Sequence, residues 1–90
     1  MRAIITVVGQ DKVGIIAKIS TFLAEAQINI LDINQTILQN YFTMMMLVDM
    51  EGMNAGLAEI REQLQKLGAE LALSITLQHE KTFKAMHRID

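Results

Sequence analysis

The first residues that could do chemistry are the glycines that follow an apolar N-terminal run. Gly9 and Gly14 have the G-x-x-x-x-G spacing of a phosphate-binding loop, but that motif continues with Lys and Ser or Thr, where this chain has Ile15 and Ile16. A P-loop is therefore excluded. Glycine in the first turn of a helix costs up to about 1 kcal/mol relative to alanine. Either close packing of the turn or close approach of a ligand to backbone N–H groups could offset this cost, and we favour packing.

Asp11 lies three residues before Gly14 in the same loop. An aspartate before a helix caps free N–H groups and complements the helix dipole. We expect Asp11 to be the N-cap of the first helix. Contact with a ligand is the second interpretation, and the two roles are compatible.

Two histidines near the C-terminus raise the question of a metal site. His79-Glu80 begins like the zinc-protease motif H-E-x-x-H, but the fifth position is Phe83. His87 follows His79 at a distance of about 12 Å along a helix, too far to share one ion. The chain has no cysteine, which excludes thiolate and disulfide chemistry. We predict no metal, no cofactor and no catalytic residue, with both histidines on the surface or in an interface.

These residues must be positioned by short strands and two helices. Ile, Val and Thr runs or strict alternation predict strands, and apolar residues at helical spacing predict helices. Asn54 is a candidate N-cap and Gly68 a candidate C-cap of the second helix. The predicted strands are 2–9, 28–39, 41–50 and 69–78, and the predicted helices are 12–26 and 54–67. This order predicts an α+β, ferredoxin-like βαββαβ fold, a four-stranded antiparallel sheet with two helices on one face.

The last twelve residues form a separate segment. Phe83, Met86 and Ile89 recur at steps of three, which predicts a short amphipathic C-terminal helix. We expect it to lay Phe83 and Met86 against a sheet face or a partner subunit. The predicted organisation is a domain over 1–78 and a helical extension over 79–90.

Composition narrows the function classes. The 90 residues suffice for one domain, and 51% are hydrophobic and 20% charged, as in a globular protein. A net charge of −2 argues against binding to nucleic acid or an anionic membrane. Lys81, Lys84 and Arg88 are diluted by acidic neighbours. Neither a signal peptide nor a membrane-spanning run is evident, so we expect a cytoplasmic protein.

The glycine-containing loop and the start of the second strand together resemble a known family. Asp11-Lys12-Val13-Gly14-Ile15, followed by Gln27-Ile28-Asn29-Ile30, looks like the Asp-x-x-Gly-hydrophobic loop and the Asn-Ile strand start of the ACT domain. The resemblance covers residues 1–78. It is strongest to stand-alone bacterial ACT proteins of uncharacterised function, which are related to the regulator of the glycine cleavage system. Many ACT loops have proline where this chain has Val13.

The resemblance implies a regulatory module that catalyses nothing. ACT domains bind a small effector, often an amino acid, between the first loop of one subunit and the start of the second strand of a neighbour. When that site is carried over to this sequence, the resemblance implies that the ligand-binding residues are Asp11, Gly14 and Asn29. For Asn29, hydrogen bonds within a turn are an equally good interpretation. A target protein to be regulated is also implied.

Three functions compete. The regulatory module leads, and we expect it to be a homo-oligomer, most simply a dimer, because the core is small and Met45 and Leu47 would give the helix-free side of the sheet an apolar patch. A protein adaptor without a small ligand, using the C-terminal helix as its contact, is the alternative. An acylphosphatase-type enzyme would need an arginine after Gly14 to hold phosphate, and none is there.

Overall fold

A computed structural model describes residues 1–10 and 13–86 of the chain. The β-strands are β1 (Arg2–Gln10), β2 (Asn29–Leu38), β3 (Tyr41–Asp49) and β4 (Leu73–His79). The helices are α1 (Ile15–Glu25), α2 (Leu57–Leu71) and the short α3 (Glu80–Met86). The strands form one antiparallel sheet in the order β2-β3-β1-β4. The predicted ferredoxin-like fold with a short C-terminal helix is therefore confirmed.

The core lies on one face of the sheet, under α1 and α2. Alternate side chains of β1 and β3 point into it, as the period of two in a strand requires. The helices add apolar residues at steps of three to four. Its fully buried members include Ile5, Val7, Ile19, Leu23, Met44, Met46, Val48, Ile60 and Leu64. Met44 and Met46 are thus core residues, as the alternation predicts. We call the opposite, helix-free side of the sheet the open face.

The predicted caps of the helices are wrong. The N-cap of α1 is Gly14, not Asp11, and that of α2 is Gly56, not Asn54. Asn54 instead joins the loop before α2 to the end of α1, because its side-chain amide donates to the Glu25 carbonyl at 3.0 Å. Asp11 itself lies outside the described residues.

Gly68 does not end α2, which continues to Leu71 and has Ala72 as its left-handed C-cap. A Cβ at Gly68 would stand 2.8 Å from the Leu73 carbonyl oxygen and 3.2 Å from Cγ1 of Ile75. Glycine is needed here because α2 packs its backbone directly on β4. The glycine that the sequence offers as the end of a helix is therefore required by a tertiary contact.

The C-terminal helix contacts both β1 and β4. The Arg2 guanidinium donates to the Glu80 carboxylate, and Phe83 is half-buried. The expected docking of Phe83 on the domain is therefore supported. The side chain of Met86 and residues 87–90 lie outside the described part, so that part of the expectation stays a prediction.

Candidate functional site

Gly14 has a backbone conformation that side-chain-bearing residues rarely adopt. Its φ is 90° and its ψ is 2°, in the left-handed region. Among the described residues, nothing lies within 4 Å of a Cβ added there. Packing of this turn against β2 therefore does not explain the glycine. The turn needs glycine for its positive φ, and the described residues leave the space beside it open.

The first turn of α1 presents backbone N–H groups that have no partner within the helix. The first bond within the helix runs from the Lys18 N–H to the Gly14 carbonyl at 3.0 Å. The N–H groups of residues 15–17 precede it and so have no partner one turn back in the helix. No acidic side chain lies in this first turn to compete for them. Together with the positive end of the helix dipole, they favour an anionic group.

A cavity of about 280 Å³ opens at this helix start, between α1 and the outer part of the sheet. It is lined by Gly14, Ile15, Ile16, Ala17, Gln35, Ile37 and Phe42. Backbone N–H groups thus lie at one side, apolar side chains of α1 and the sheet form most of the wall, and Gln35 offers an amide. The arrangement can hold a small molecule that has both an anionic group and an apolar part.

Asn29 lies far from this cavity in the same chain. It begins β2 and is opposite Asp49, which in turn is opposite Arg2 at the start of β1. Gly14 follows the other end of β1, and nine residues of strand span about 26 Å. One chain therefore does not bring Gly14 and Asn29 together. The implied site uses two subunits, so its residues, Asp11 included, stay a prediction.

The end of the domain near Asn29 holds an ion pair that the sequence analysis missed. Hydrogen bonding from the Arg2 guanidinium lowers the pKa of the Glu80 carboxyl from its ordinary value, and the same contact raises the pKa of Arg2. Both groups are in contact with water, so the pair contributes little to stability. Its clear effect is positional, since it ties α3 to β1.

His79, one of the two histidines considered as metal ligands, makes a hydrogen bond at the start of α3. His79 Nδ1 accepts a hydrogen bond from the Lys81 N–H at 3.1 Å, so this histidine caps the start of α3. Within residues 1–10 and 13–86, no three histidine or acidic side chains come together as metal ligands. His87 lies outside these ranges. In the same ranges, no helix has the length and apolar character to cross a bilayer.

The sequence analysis also missed the side chains that line the cavity. Ile16 and Ile37 are 39% and 51% exposed although both are apolar. A signal was present in β2, where Gln35 and Ile37 alternate with Asn34 and Thr36. Polar residues on both sides of a strand indicate an edge position, and that position puts Ile37 beside α1 at the margin of the core.

Comparisons with known proteins agree with this geometry. The ACT domain family matches residues 2–78. A UPF0237 protein from Clostridium acetobutylicum is 51% identical over 89 residues, with 99% of this chain and 100% of that protein covered. A UPF0237 protein from Methanopyrus kandleri is 48% identical over 88 residues, with 98% of each chain covered.

Solved structures extend the likeness to regulatory proteins. An ACT domain protein from Streptococcus pneumoniae has a TM-score of 0.81 and 42% identity, with 97% of this chain and 98% of that chain covered. A protein described as a glycine cleavage system transcriptional repressor has a TM-score of 0.75 and 26% identity, with 86% of this chain and 44% of that chain covered. The aspartate kinase regulatory subunit from Thermus thermophilus has a TM-score of 0.67 and 28% identity, with 86% of this chain and 50% of that chain covered. On its sequence and its fold, this chain belongs to the ACT domain family.

Proposed function

We propose that this chain is a regulatory module that binds a small amino acid at a site completed by a second copy. The observation that carries the proposal is the cavity at the start of α1, where free N–H groups and apolar side chains lie side by side. Its volume of about 280 Å³ lies just below the usual range of small-molecule pockets, which begins at about 300 Å³. That size favours a ligand of amino-acid dimensions.

Each part of an amino acid has a complementary group in or beside the cavity. The N–H groups at the start of α1 would receive the carboxylate. Ile16, Ile37 and the buried ring of Phe42 would receive an apolar side chain. The ammonium needs an acceptor, for which we propose Asp11 together with the Gln35 amide oxygen.

The second copy is needed to bring Asn29 to this cavity. β2 is an edge strand, and no strand of the described part of the chain pairs with its outer side. If two β2 strands pair antiparallel about a two-fold axis near their middle, Asn29 of one copy meets the Leu38 end of the other. That end lies beside the cavity, so Asn29 could add its amide to the ligand carboxylate. The exposed Ile33, near the middle of the strand, would be covered by the same contact.

A regulatory role fits the relatives better than catalysis does. Two of the similar structures are a transcriptional repressor and a kinase regulatory subunit. The cavity wall has no arginine, histidine or carboxylate among the described residues, and the proposed site uses Asp11 only to accept a hydrogen bond from the ammonium. We therefore propose that the bound effector changes contacts with a target protein in the cytoplasm.

A thermal-shift screen of the twenty amino acids tests the proposal. A ligand present at 100 times its Kd adds about 2.7 kcal/mol of stability. Calorimetry on the best ligand then compares Ile37→Glu with Leu38→Glu. Both substitutions place a carboxylate on the same edge strand, but only Ile37 lines the cavity. We expect Ile37→Glu to weaken binding at least tenfold, because its carboxylate repels that of the ligand, and Leu38→Glu to have a much smaller effect.

The screen also decides between the two leading functions. Asn29→Ala should weaken binding as well, although Asn29 is remote from the cavity in its own chain. Equal binding by all three variants would contradict the proposed site. If no amino acid stabilises the protein, the adaptor function is favoured, and a search for a protein bound by α3 would follow.

A further inference from the structure

A groove lies between α1 and α2, in the helix layer of the domain. Its volume is about 350 Å³, larger than that of the cavity at the start of α1. Both helices are fully described, and their backbones are not in close contact along their length. The groove is lined by Ala17, Lys18, Thr21, Phe22 and Glu25 of α1 and by Leu67 of α2. The two helices therefore leave an open cleft between them.

The residues of α1 that line the groove form one stripe along the helix. They recur at steps of three and four, so they share one face. Ala17 and Thr21 are small and exposed, which leaves room for the backbone of a partner to come close. Phe22 and Leu67 are half-buried and pack against the core from outside. The groove thus has an apolar floor that the chain itself covers only in part.

Opposite charges lie at the two ends of this stripe. Lys18 and Glu25 are both exposed, and within the described residues neither forms an ion pair. They are seven positions apart, which in a helix is two turns and about 10.5 Å. An amino acid carries both of its charges on one carbon atom and cannot span that distance. A second helix with two oppositely charged residues seven positions apart matches it.

We propose that this groove binds an amphipathic helix of the target protein. The helix presents an acidic residue to Lys18 and a basic residue to Glu25, and its apolar residues lie between them on the floor of the groove. Recognition of a helix in a groove uses such apolar anchors on one face, and the two charges fix the direction in which the helix lies. The inference rests on the proposed function for the existence of a target protein, but it requires no amino-acid ligand.

Ala17 connects the groove to the proposed effector site. It lines both the groove and the cavity at the start of α1, because α1 stands between them. An effector held by the N–H groups at the start of α1 acts on the same turn that carries Ala17 and Lys18. Two ligands coupled in this way change each other's affinity by the same factor. The groove is therefore well placed for a contact that the effector regulates.

The test uses a fluorescent peptide of about 18 residues, long enough to form a helix, with glutamate and lysine seven positions apart and leucines between them on one face. Fluorescence anisotropy at low ionic strength should give a Kd of about 1 mM or tighter, the scale of a weak contact. Lys18→Glu should weaken binding about three- to tenfold, because an attraction becomes a repulsion. Lys81→Glu, on an exposed position of α3, changes the net charge equally and should keep the native Kd.

A second pair of variants tests the shape of the groove. Thr21→Trp fills the groove with an indole ring and should weaken binding about tenfold or more, because the ring clashes with the peptide. Ala69→Trp places the same ring on α2, about 200° around the helix from Leu67, and should bind as the native protein does. Both positions are exposed, and circular dichroism establishes that both variants fold.

The outcomes separate this inference from the proposed function. A peptide with lysine at both charged positions should bind Lys18→Glu more tightly than it binds the native protein. The groove is not a helix site if the first peptide does not bind, if Lys18→Glu and Lys81→Glu weaken it equally, or if Thr21→Trp still binds it.

The amino-acid screen on the same variants completes the separation. Specific binding of the peptide without any stabilising amino acid supports the groove and contradicts the proposed effector site. An amino acid whose effect is lost in Thr21→Trp and kept in Ile37→Glu would make the groove a small-molecule site, which contradicts both proposals. Loss of that effect in Ile37→Glu alone, with the peptide still bound, supports both.

Discussion

The neighbouring strands β2 and β3 are paired along most of their length and yet differ in the burial of the side chains that they direct to the helix side of the sheet. Ile33 is opposite Met46 in the register, and both side chains point to the helix side of the sheet. Met46 is fully buried, whereas Ile33 is 41% exposed. From Leu31 to Leu38 every residue of β2 is exposed. Backbone pairing alone therefore does not determine what a strand contributes to the fold.

The difference arises from where the helices lie. The side chains that β1, β3 and β4 direct to the helix side are buried, whereas α1 contacts β2 without covering it. Apolar side chains such as Ile33, Ile37 and Leu38 cost hydrophobic free energy when they face water. They contribute little to the stability of the single chain. We infer that β2 is the strand by which the domain interacts, while β3 is the strand that holds it together.

The largest expected effect comes from truncating the two opposed side chains separately. Met46→Ala should lower the free energy of unfolding by about 2–5 kcal/mol, because it leaves a cavity in the core. Ile33→Ala should lower it by about 1 kcal/mol or less when measured on dilute protein. Urea denaturation at several protein concentrations measures both. Equal losses in the two variants would refute the division of roles between β2 and β3.

A second comparison concerns the two edge strands. Unlike β2, β4 is covered by α2 and is also contacted by α3. Truncation after Gln78 removes α3 and uncovers the surface under Phe83. We expect this truncation to lower the free energy of unfolding by about 1–2 kcal/mol. Phe83 is only half-buried, and full burial of a phenylalanine side chain contributes about 1.5–3 kcal/mol.

The measurement is the melting temperature, which shifts by roughly 4–8 °C for each kcal/mol in a domain of this size. Phe83→Ala in the full-length chain is the control that isolates the side chain from the helix. A truncated chain that keeps both its melting temperature and its assembly state would show that α3 has no structural role, and the adaptor function for this segment would gain support.

The smallest expected effect is that of the ion pair that fastens α3. Arg2 lowers the pKa of Glu80 in the folded protein, so folding favours the ionised carboxylate. The contribution is complete above the unfolded pKa of about 4.3 and is lost as the pH falls through the lowered pKa of the folded state. Glu80→Gln should therefore reduce stability slightly at pH 7 and leave it unchanged near pH 2. The measurement is the free energy of unfolding at the two pH values. A variant as stable as the native protein at both would contradict this prediction.

The fold could be predicted because the strongest sequence patterns coincide with the core. The alternation of Met44, Met46 and Val48 gave β3, and Ile60 and Leu64 gave α2, since burial selects the residue type at each of these positions. Gly68 was misinterpreted as a helix end, because glycine is needed there for the close packing of α2 on β4. The residues around Gly68 in the sequence give no sign of that contact. Local signals such as caps are reliable only where no tertiary contact overrides them.

The candidate site was harder to predict than the fold. Gly14 was singled out as a ligand-binding residue, which stays a prediction, and its requirement for a positive φ depends on the path of the loop, which no pattern reveals. The cavity wall joins Ile16 to Gln35 and Ile37, residues that are separated by most of α1 and part of β2. Such a juxtaposition follows from topology. Asn29 lies at the opposite end of its own chain, so a site that uses it requires knowledge of the assembly.

The irregularity in β2 at Leu31 determines which side chains of that strand face the helices and which point to the open face. The register passes from Ile30 opposite Val48 directly to Asp32 opposite Leu47, so Leu31 is an extra residue, a β-bulge. Before it, even-numbered side chains face the helices, and after it odd-numbered ones do. If Leu31 were instead part of a regular ladder, with no bulge, the alternation after Ile30 would turn Ile33 and Ile37 to the open face and Asp32 to the helix side. The bulge is thus a change of phase in the strand, which sets the chemistry of each face of this edge without altering any other element.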